Sequence, residues 1–346
     1  MESKEMKIEK PPVQPTQIEI KQPPILFEKT QQMIKEISKS LDGLLITYWN
    51  GPGGNVCDND IIAIYEMLEK IGKVDKIYLF IKSYGGNVKS SLRIVNLLRQ
   101  YAKEIITLIP LACVSAATMI ALGADEIKMG PMAYLSAIDT SLIHDLSPIN
   151  RENYRVRVSL DELKRIVKLW RDEKNNQSSN PYESLFQHIH PLVIGAVDRA
   201  DSLSIMLCKE ILLYHLEDKD KAENIANTLN SKYPSHSYPI LLKEAEKIGL
   251  NVSPLEHNIN DKLLELNEIY AEMGQKAITD YDVDRYHSNQ ILNIIEIADL
   301  QLFFQVDKDF VYRTQERRWI AMNDNSCWRR WESIDGEVRK TRMHIA

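Results

Sequence analysis

The chain has 346 residues, of which 44% are hydrophobic and 27% charged, and its formal net charge at neutral pH is −6. This composition is typical of a soluble globular protein that buries a large core in one large or two modest domains. The negative charge argues against nucleic acid as a partner of the whole surface. Four widely spaced cysteines without a Cys-x-x-Cys motif indicate reduced thiols in a cytoplasmic protein.

The beginning of the chain predicts a disordered or extended arm. Residues 1–24 are rich in proline and poor in large apolar side chains, and the first residues are too polar for a signal peptide. Residues 105–124 carry no charge over twenty positions, which is the length of a membrane span, but they include Pro110 and several small or hydroxyl side chains. We interpret this stretch as buried sheet and helix, and we expect no membrane partner.

The centre of the chain predicts two successive strand–turn–helix units. The first has a buried strand from residue 77 and the turn Ser83-Tyr-Gly-Gly86, followed by a helix. The second has an apolar strand over residues 105–110, small residues at 112–115 and a helix over 116–122. Parallel strands deliver the turns that follow them to the same edge of a sheet, so we expect the two turns to meet.

Ser115 stands at the junction between the second strand and its helix. A serine in such a turn holds its hydroxyl exposed beside a helix N-terminus, which is the geometry of a nucleophile, although the G-x-S-x-G motif is absent. The backbone N–H groups of Gly86 and Ala116 are then candidates for an oxyanion hole. Cys113 is a rival nucleophile in principle, and we favour the interpretation that it is a buried structural thiol.

Further elements are predicted on both sides of these units. Helices are expected over residues 25–41, 60–71, 159–173, 192–216, 221–229 and 240–248, and a first strand over 44–49. Beyond residue 254, the apolar spacing predicts two amphipathic helices, over 261–273 and 288–304. Strands are expected after them, over 310–319 and 327–331, where arginine and tryptophan alternate. That alternation occurs in nucleic-acid sites, but a hairpin with partly buried tryptophans is favoured.

Several blocks of sequence, in order along the chain, resemble the serine dehydrogenase proteinase family. They are Ser83-Tyr-Gly-Gly86, Ser115-Ala-Ala-Thr118, Ala121-Leu-Gly-Ala-Asp-Glu126, Met129-Gly-Pro131 with Ala137-Ile-Asp139, and Ser235-His-Ser-Tyr-Pro-Ile240. That family is a distant relative of the Clp-type peptidases and of signal peptide peptidase A, and the resemblance covers about residues 40–255.

The resemblance implies an α/β chain with a Clp/crotonase-like fold of repeated ββα and βα units and an α+β C-terminal extension. It divides the chain into an arm at 1–24, a serine peptidase domain at 25–254 and an extension of unknown role at 255–346. Related folds assemble into rings or trimers, and the helices between residues 181 and 216 carry more apolar surface than one sheet face covers. A homo-oligomer is therefore expected.

The family's catalytic residues follow the order Ser, Asp, His, and the matching residues here are Ser115, Asp139 and His236. The resemblance thus implies a serine peptidase that cleaves peptide or protein substrates through an acyl-enzyme on Ser115, with Asp139 orienting the base His236 and without a cofactor or metal. His190 is the reserve base, and Lys164 would serve in a Ser–Lys dyad like that of signal peptide peptidase A. The alternative function is a non-catalytic oligomeric scaffold whose extension binds a partner.

Overall fold

The computed structural model of the protein describes residues 18–138, 141–172 and 180–345. The helices in these ranges are α1 Phe27–Ser38, α2 Asp58–Ile71, α3 Val88–Tyr101, α4 Ala116–Leu122, α5 Leu160–Asp172, α6 Pro181–Phe186, α7 Pro191–Leu212, α8 Lys219–Ser231, α9 Leu242–Ile248 and α10 His257–Met273. The strands are β1 Leu44–Asn50, β2 Val74–Lys82, β3 Ala102–Ile109, β4 Ala112–Cys113, β5 Glu126–Met129, β6 Tyr134–Ser136, β7 Ser141–Leu142, β8 Val158–Ser159, β9 Pro239–Ile240, β10 Val252–Pro254, β11 Ala277–Asp282, β12 Arg285–Ile297, β13 Leu300–Arg313, β14 Arg318–Asp324, β15 Cys327–Ile334 and β16 Glu337–Met343.

A large mixed sheet organises these elements. Its strand order is β10-β5-β3-β2-β1-β12-β13-β15-β16, with β11 paired to β12 and β14 paired to β13. The strands from β10 to β1 are parallel, whereas β12 pairs antiparallel with β1 and the later strands continue antiparallel. The predicted α/β class is confirmed: a parallel core is followed by antiparallel C-terminal strands. These strands extend the core sheet itself, and the domain boundary at residue 254 stays a prediction.

Helices cover both faces of the parallel strands. Residues of α2, α3, α4, α7 and α8 pack on one face, and residues of α1 and α10 pack on the other. Strands that are buried on both faces need apolar side chains at consecutive positions rather than at alternate ones. This requirement explains the mainly apolar runs of β1, β2 and β3, which are buried over most of their lengths.

The uncharged stretch over residues 105–124 belongs to this core. It forms most of β3, then β4 and α4, and its side chains are almost all buried. Across the described ranges, we find no helix with both the length and the apolar character that crossing a bilayer would require.

The predicted helix over residues 288–304 is wrong, because this segment forms the hairpin of β12 and β13. Ile297 pairs with Leu300, and Asp299 takes a φ of 65° in the short turn between them. The isoleucines at 291, 294 and 295 have a spacing that fits a helix, but their β-branched side chains also fit a strand. Pairing of β12 with β1, in which Ile294 lies opposite Trp49, decides the outcome.

A buried carboxylate joins the C-terminal strands to the helices. Glu296 on β12 is fully buried and accepts hydrogen bonds from Thr30 Oγ1 at 2.6 Å and from Gln31 Nε2, Tyr270 Oη and Gln301 Nε2 at 2.8 Å. These donors come from α1, α10 and β13. Burial raises the pKa of Glu296 to about 7, although the four hydrogen bonds favour the ionised form.

We expect the contribution of Glu296 to make the protein less stable as the pH rises. The pKa of Glu296 is higher in the folded state than the ordinary 4.5. Its contribution to the unfolding free energy is therefore greatest below about pH 4.5 and is lost as the pH rises through about 7. The loss is roughly 3 kcal/mol at most. Glu296→Gln does not titrate, so its unfolding free energy should change less between about pH 5 and about pH 8. Denaturant unfolding of both proteins measures this difference, and Asp60, whose burial raises its pKa to about 6, is present in both. Identical pH dependence in the two proteins would contradict the assignment.

Candidate active site

The backbone of Ser115 adopts a conformation that is rare outside glycine. Ser115 has a φ of 56° and a ψ of −121° and is the N-cap of α4. β4 ends at Cys113 and α4 begins at Ala116, so the chain turns within Val114 and Ser115. Strained backbone of this kind persists only where the surrounding structure enforces it, and in a strand-to-helix turn it presents the serine hydroxyl.

Hydrogen bonds from neighbouring strands hold this turn. Val114 N donates to Ser83 O at 3.0 Å, and Ser83 N donates to Ala112 O at 3.0 Å. Ser115 N donates to Ser136 Oγ at 2.8 Å, which ties the turn to the end of β6. The turn is therefore fixed to the end of β2 on one side and to β6 on the other.

Gly85 packs so closely against the turn that it leaves no room for a side chain. A Cβ at Gly85 would lie 2.7 Å from both Ser115 Cβ and Val114 O, and 3.0 Å from Ala116 N. Its φ of 95° also favours glycine. The two turns that the sequence predicts at one sheet edge thus meet in the structure.

The two amides predicted for an oxyanion hole lie at this contact. Val56 N donates to Gly85 O and Asn87 N donates to Val56 O, so the bridge between Val56 and Gly86 does not use the Gly86 N–H. Ala116 is the first residue of α4, where an N–H has no acceptor within the helix. Within the described ranges, neither of these two N–H groups donates a hydrogen bond.

A small second sheet brings His236 towards Ser115. In this sheet β4 pairs with β6 in parallel, and β6 pairs with β9 antiparallel, with Ser136 opposite Pro239. Ser136 also accepts the hydrogen bond from Ser115 N, so the loop before β9 runs beside the turn. His236 lies in that loop, is exposed, and lines the same cleft as Ser115.

This cleft has a volume of about 780 Å³. Its walls come from the loop after β1, the Gly-Gly turn, the Ser115 turn, the β7–β8 hairpin and the His236 loop, and the lining residues are Gly54, Asn55, Val56, Cys57, Tyr84, Gly85, Gly86, Asn87, Val88, Ser115, Ser141, Arg157 and His236. Cys57 and Arg157 bring a thiol and a guanidinium to this set, and the sequence did not single them out because neither belongs to a recognisable motif.

Burial raises the pKa of the two thiols near Ser115. Cys113 is fully buried, and burial raises the pKa of its thiol far above the ordinary value. Burial also raises the pKa of Cys57 to about 11. Both side chains are therefore neutral thiols near pH 7, and a thiolate is the form that reacts as a nucleophile. For Cys113, this agrees with a structural role.

The two alternative bases, His190 and Lys164, lie away from the cleft. Asp139 falls outside the described residues. His190 Nδ1 accepts a hydrogen bond from Leu192 N at 3.2 Å and so caps the N-terminus of α7. Lys164 Nζ lies 3.7 Å from Asp201 Oδ2, with its side chain 62% exposed, and neither His190 nor Lys164 lines the cleft. No cluster of three or more His, Cys, Asp or Glu side chains in the described ranges could hold a metal ion.

We expect Gly85→Ala to destabilise the protein more than Gly336→Ala does. Gly336 also has a positive φ, of 84°, but a Cβ there would meet no atom within 4 Å. The control therefore measures backbone strain alone, whereas the new methyl at Gly85 would also collide with backbone atoms that cannot rotate away. This collision should cost about 2 kcal/mol more, measured as the difference in unfolding free energy. Equal losses in the two variants would show that the turns do not pack as described.

Comparisons with known proteins agree with the fold. The model of the Clp protease family matches residues 29–134. Two uncharacterized proteins of Methanocaldococcus jannaschii, MJ0137 and MJ1495, are 24% and 25% identical over 213 and 210 residues. These matches cover 62% and 59% of this chain and 65% and 61% of the two proteins. The chain thus spans less than two thirds of the length of either relative.

Two solved structures also show similarity. A mutant of the 1510-N membrane-bound stomatin-specific protease has a TM-score of 0.38 and 16% identity, over 68% of this chain and 88% of its own. ClpP1 from Listeria monocytogenes has a TM-score of 0.33 and 13% identity, over 68% of this chain and 99% of its own. The family match thus places a similarity to Clp proteases in residues 29–134, within a mixed α/β fold.

Proposed function

We propose that the protein is a serine peptidase in which Ser115 attacks the carbonyl carbon of a peptide bond. The observation that carries this proposal is the strained turn of Ser115, with a φ of 56°, at the wall of a cleft of about 780 Å³. A strained serine between a strand and a helix N-terminus is the arrangement of a nucleophile. The match to the Clp protease family supports the same reaction class.

In this mechanism, His236 accepts the proton of the Ser115 hydroxyl as the hydroxyl oxygen attacks, and then donates it to the leaving amine. The N–H groups of Gly86 and Ala116 stabilise the oxyanion that forms on the carbonyl oxygen. A water molecule then hydrolyses the acyl-enzyme. Asp139 orients His236 in this proposal. The role of Asp139 rests on the resemblance to the serine dehydrogenase proteinases. We propose that the chain belongs with the serine dehydrogenase proteinases, because Ser115, Asp139 and His236 follow the Ser, Asp, His order of that family.

The positions of the alternative bases support His236 in this role. His236 lines the cleft with Ser115, whereas His190 caps α7 and the exposed side chain of Lys164 pairs with Asp201. A lysine base needs burial to lower its pKa into the working range. The exposed side chain of Lys164 lacks that burial.

We expect Ser115→Ala to abolish covalent labelling by a fluorophosphonate probe. His236→Ala should lower peptide turnover by at least about a hundredfold, the effect of losing a general base. Peptide hydrolysis and labelling are measured on proteins whose melting curves match that of the wild type.

Two control variants separate the bases. Lys164→Ala should leave turnover nearly unchanged, and His190→Ala should lower stability by about 1 kcal/mol through the lost cap without a comparable loss of activity. Full activity in His236→Ala with loss in Lys164→Ala would transfer the role to a Ser–Lys dyad. Absence of labelling and hydrolysis in the wild type would favour the non-catalytic scaffold.

We also propose that the protein is a homo-oligomer. Large apolar side chains are exposed along the segment from β7 to α7, and these are Ile143, Leu146, Ile149, Tyr154, Val156, Ile166, Leu169, Tyr182, Phe186, Leu192 and Met206. The buried core of the same segment is small. Many exposed large apolar side chains in one segment are typical of a protein–protein interface.

Light scattering at micromolar concentration should therefore give a mass above that of one chain. Leu169 and Leu192 are 67% and 62% exposed, and a glutamate at both positions should lower the mass by burying charge in the interface. Leu241, which is 54% exposed outside this segment, supplies the control substitution Leu241→Glu. A single-chain mass for the wild type would contradict the proposal.

A further inference from the structure

Among the described residues that line the cleft, Arg157 is the side chain with a permanent charge. The other lining residues are glycines, apolar residues, amides, serines, a tyrosine, the neutral thiol of Cys57 and His236. No aspartate or glutamate of the described ranges lines this cleft. A guanidinium that lines a cleft attracts a negatively charged group of a ligand.

The hydrogen bonds of Arg157 leave most of its donors available. Arg157 precedes β8, and its Nη1 donates to Ser141 O at 3.0 Å across the β7–β8 hairpin. Its Nη1 also lies 3.5 Å from Ser141 Oγ, and in the described parts of the chain Arg157 forms no ion pair with a carboxylate. A guanidinium has five N–H donors in a planar fork that matches the two oxygens of a carboxylate.

Two neighbouring cations, Lys82 and Arg155, do not present their charge to the cleft as Arg157 does. Lys82 is buried, donates to Asn50 O at 2.9 Å, and lies over the rings of Trp49 and Tyr84. Arg155 donates through its Nε to Asp145 O at 2.8 Å and does not line the cleft. Arg157 alone of these three presents its charge to the space beside Ser115.

We propose that Arg157 binds a carboxylate of the peptide in the cleft, so that the site prefers peptides with an acidic group near the bond that is cleaved. This inference rests on the proposed peptidase function for the cleavage step but not for binding. The carboxylate comes either from an Asp or Glu side chain or from the C-terminus of the peptide. The two sources share the same chemistry and are distinguished by the ligands used.

The test uses Ser115→Ala, which retains the cleft and cannot turn over a peptide, and three short peptides of equal length. All three are N-acetylated: one carries a glutamate and an amidated C-terminus, one has uncharged side chains and a free C-terminal carboxylate, and one has uncharged side chains and an amidated C-terminus. Calorimetry should show that at least one carboxylate peptide binds about tenfold more tightly than the neutral amide, the effect of one hydrogen-bonded charge pair near a surface. Added salt should reduce this advantage.

Further substitutions in the same background assign the preference to Arg157. Arg157→Gln should abolish the advantage, and Arg157→Lys should retain part of it, because a lysine is a point charge without the planar fork. Arg155→Gln, two residues away with a similar backbone contact, should leave the advantage unchanged. Equal binding of all three peptides, or a preference that survives Arg157→Gln, would overturn the proposal.

Cleavage of the same peptides by the wild type separates this inference from the proposed function. A carboxylate preference in binding without cleavage of any peptide would support the Arg157 site and contradict the peptidase. Cleavage of all three peptides at equal kcat/KM, with equal binding, would support the peptidase and contradict the Arg157 site.

Discussion

The close approach of two backbone turns is the constraint on which the candidate site depends. The turn after β2 can touch the turn after β4 only because Gly85 has no side chain, since a Cβ there would lie 2.7 Å from Ser115 Cβ. This contact places Ala116 N directly beside the Gly-Gly turn. Together with the hydrogen bonds made by Val114 N and Ser115 N, it maintains a serine at a φ of 56°, which an unconstrained serine would leave. Close packing thus stores local strain at the residue proposed to react.

The small sheet of β4, β6 and β9 brings distant parts of the chain to this turn. Its central strand ends at Ser136, whose Oγ accepts the hydrogen bond from Ser115 N and whose backbone pairs with Pro239. The loop that carries His236 is therefore fixed next to the turn by a strand pair only two residues long. Such a short pair has few ladder hydrogen bonds, so the position of the histidine depends on the surrounding packing more than that of the serine does.

The C-terminal strands and α10 complete the scaffold behind the site. β1 pairs with β2 on one side and with β12 on the other, so the parallel core has no free edge at β1. α10 packs on the face of the sheet opposite to α4, and Glu296 links it to α1 and β13 through buried hydrogen bonds. The strands that carry the site turns are thereby enclosed on both faces, which keeps the ends of these strands in register.

The sequence by itself determined the elements around Ser115, because apolar runs, small residues and paired glycines are strong local signals, and because parallel strands must deliver their turns to one edge. It did not determine the hairpin at residues 288–304, where the isoleucine spacing fits a helix as well as a strand and only pairing with β1 selects the strand. It also carried no signal for Arg157. That side chain reaches the cleft through the β7–β8 hairpin, whose pairing depends on contacts between residues far from Ser115 in the chain. Local propensity acts within a few residues, whereas the surroundings of a cleft depend on which distant segments pack together, and this only the tertiary structure decided.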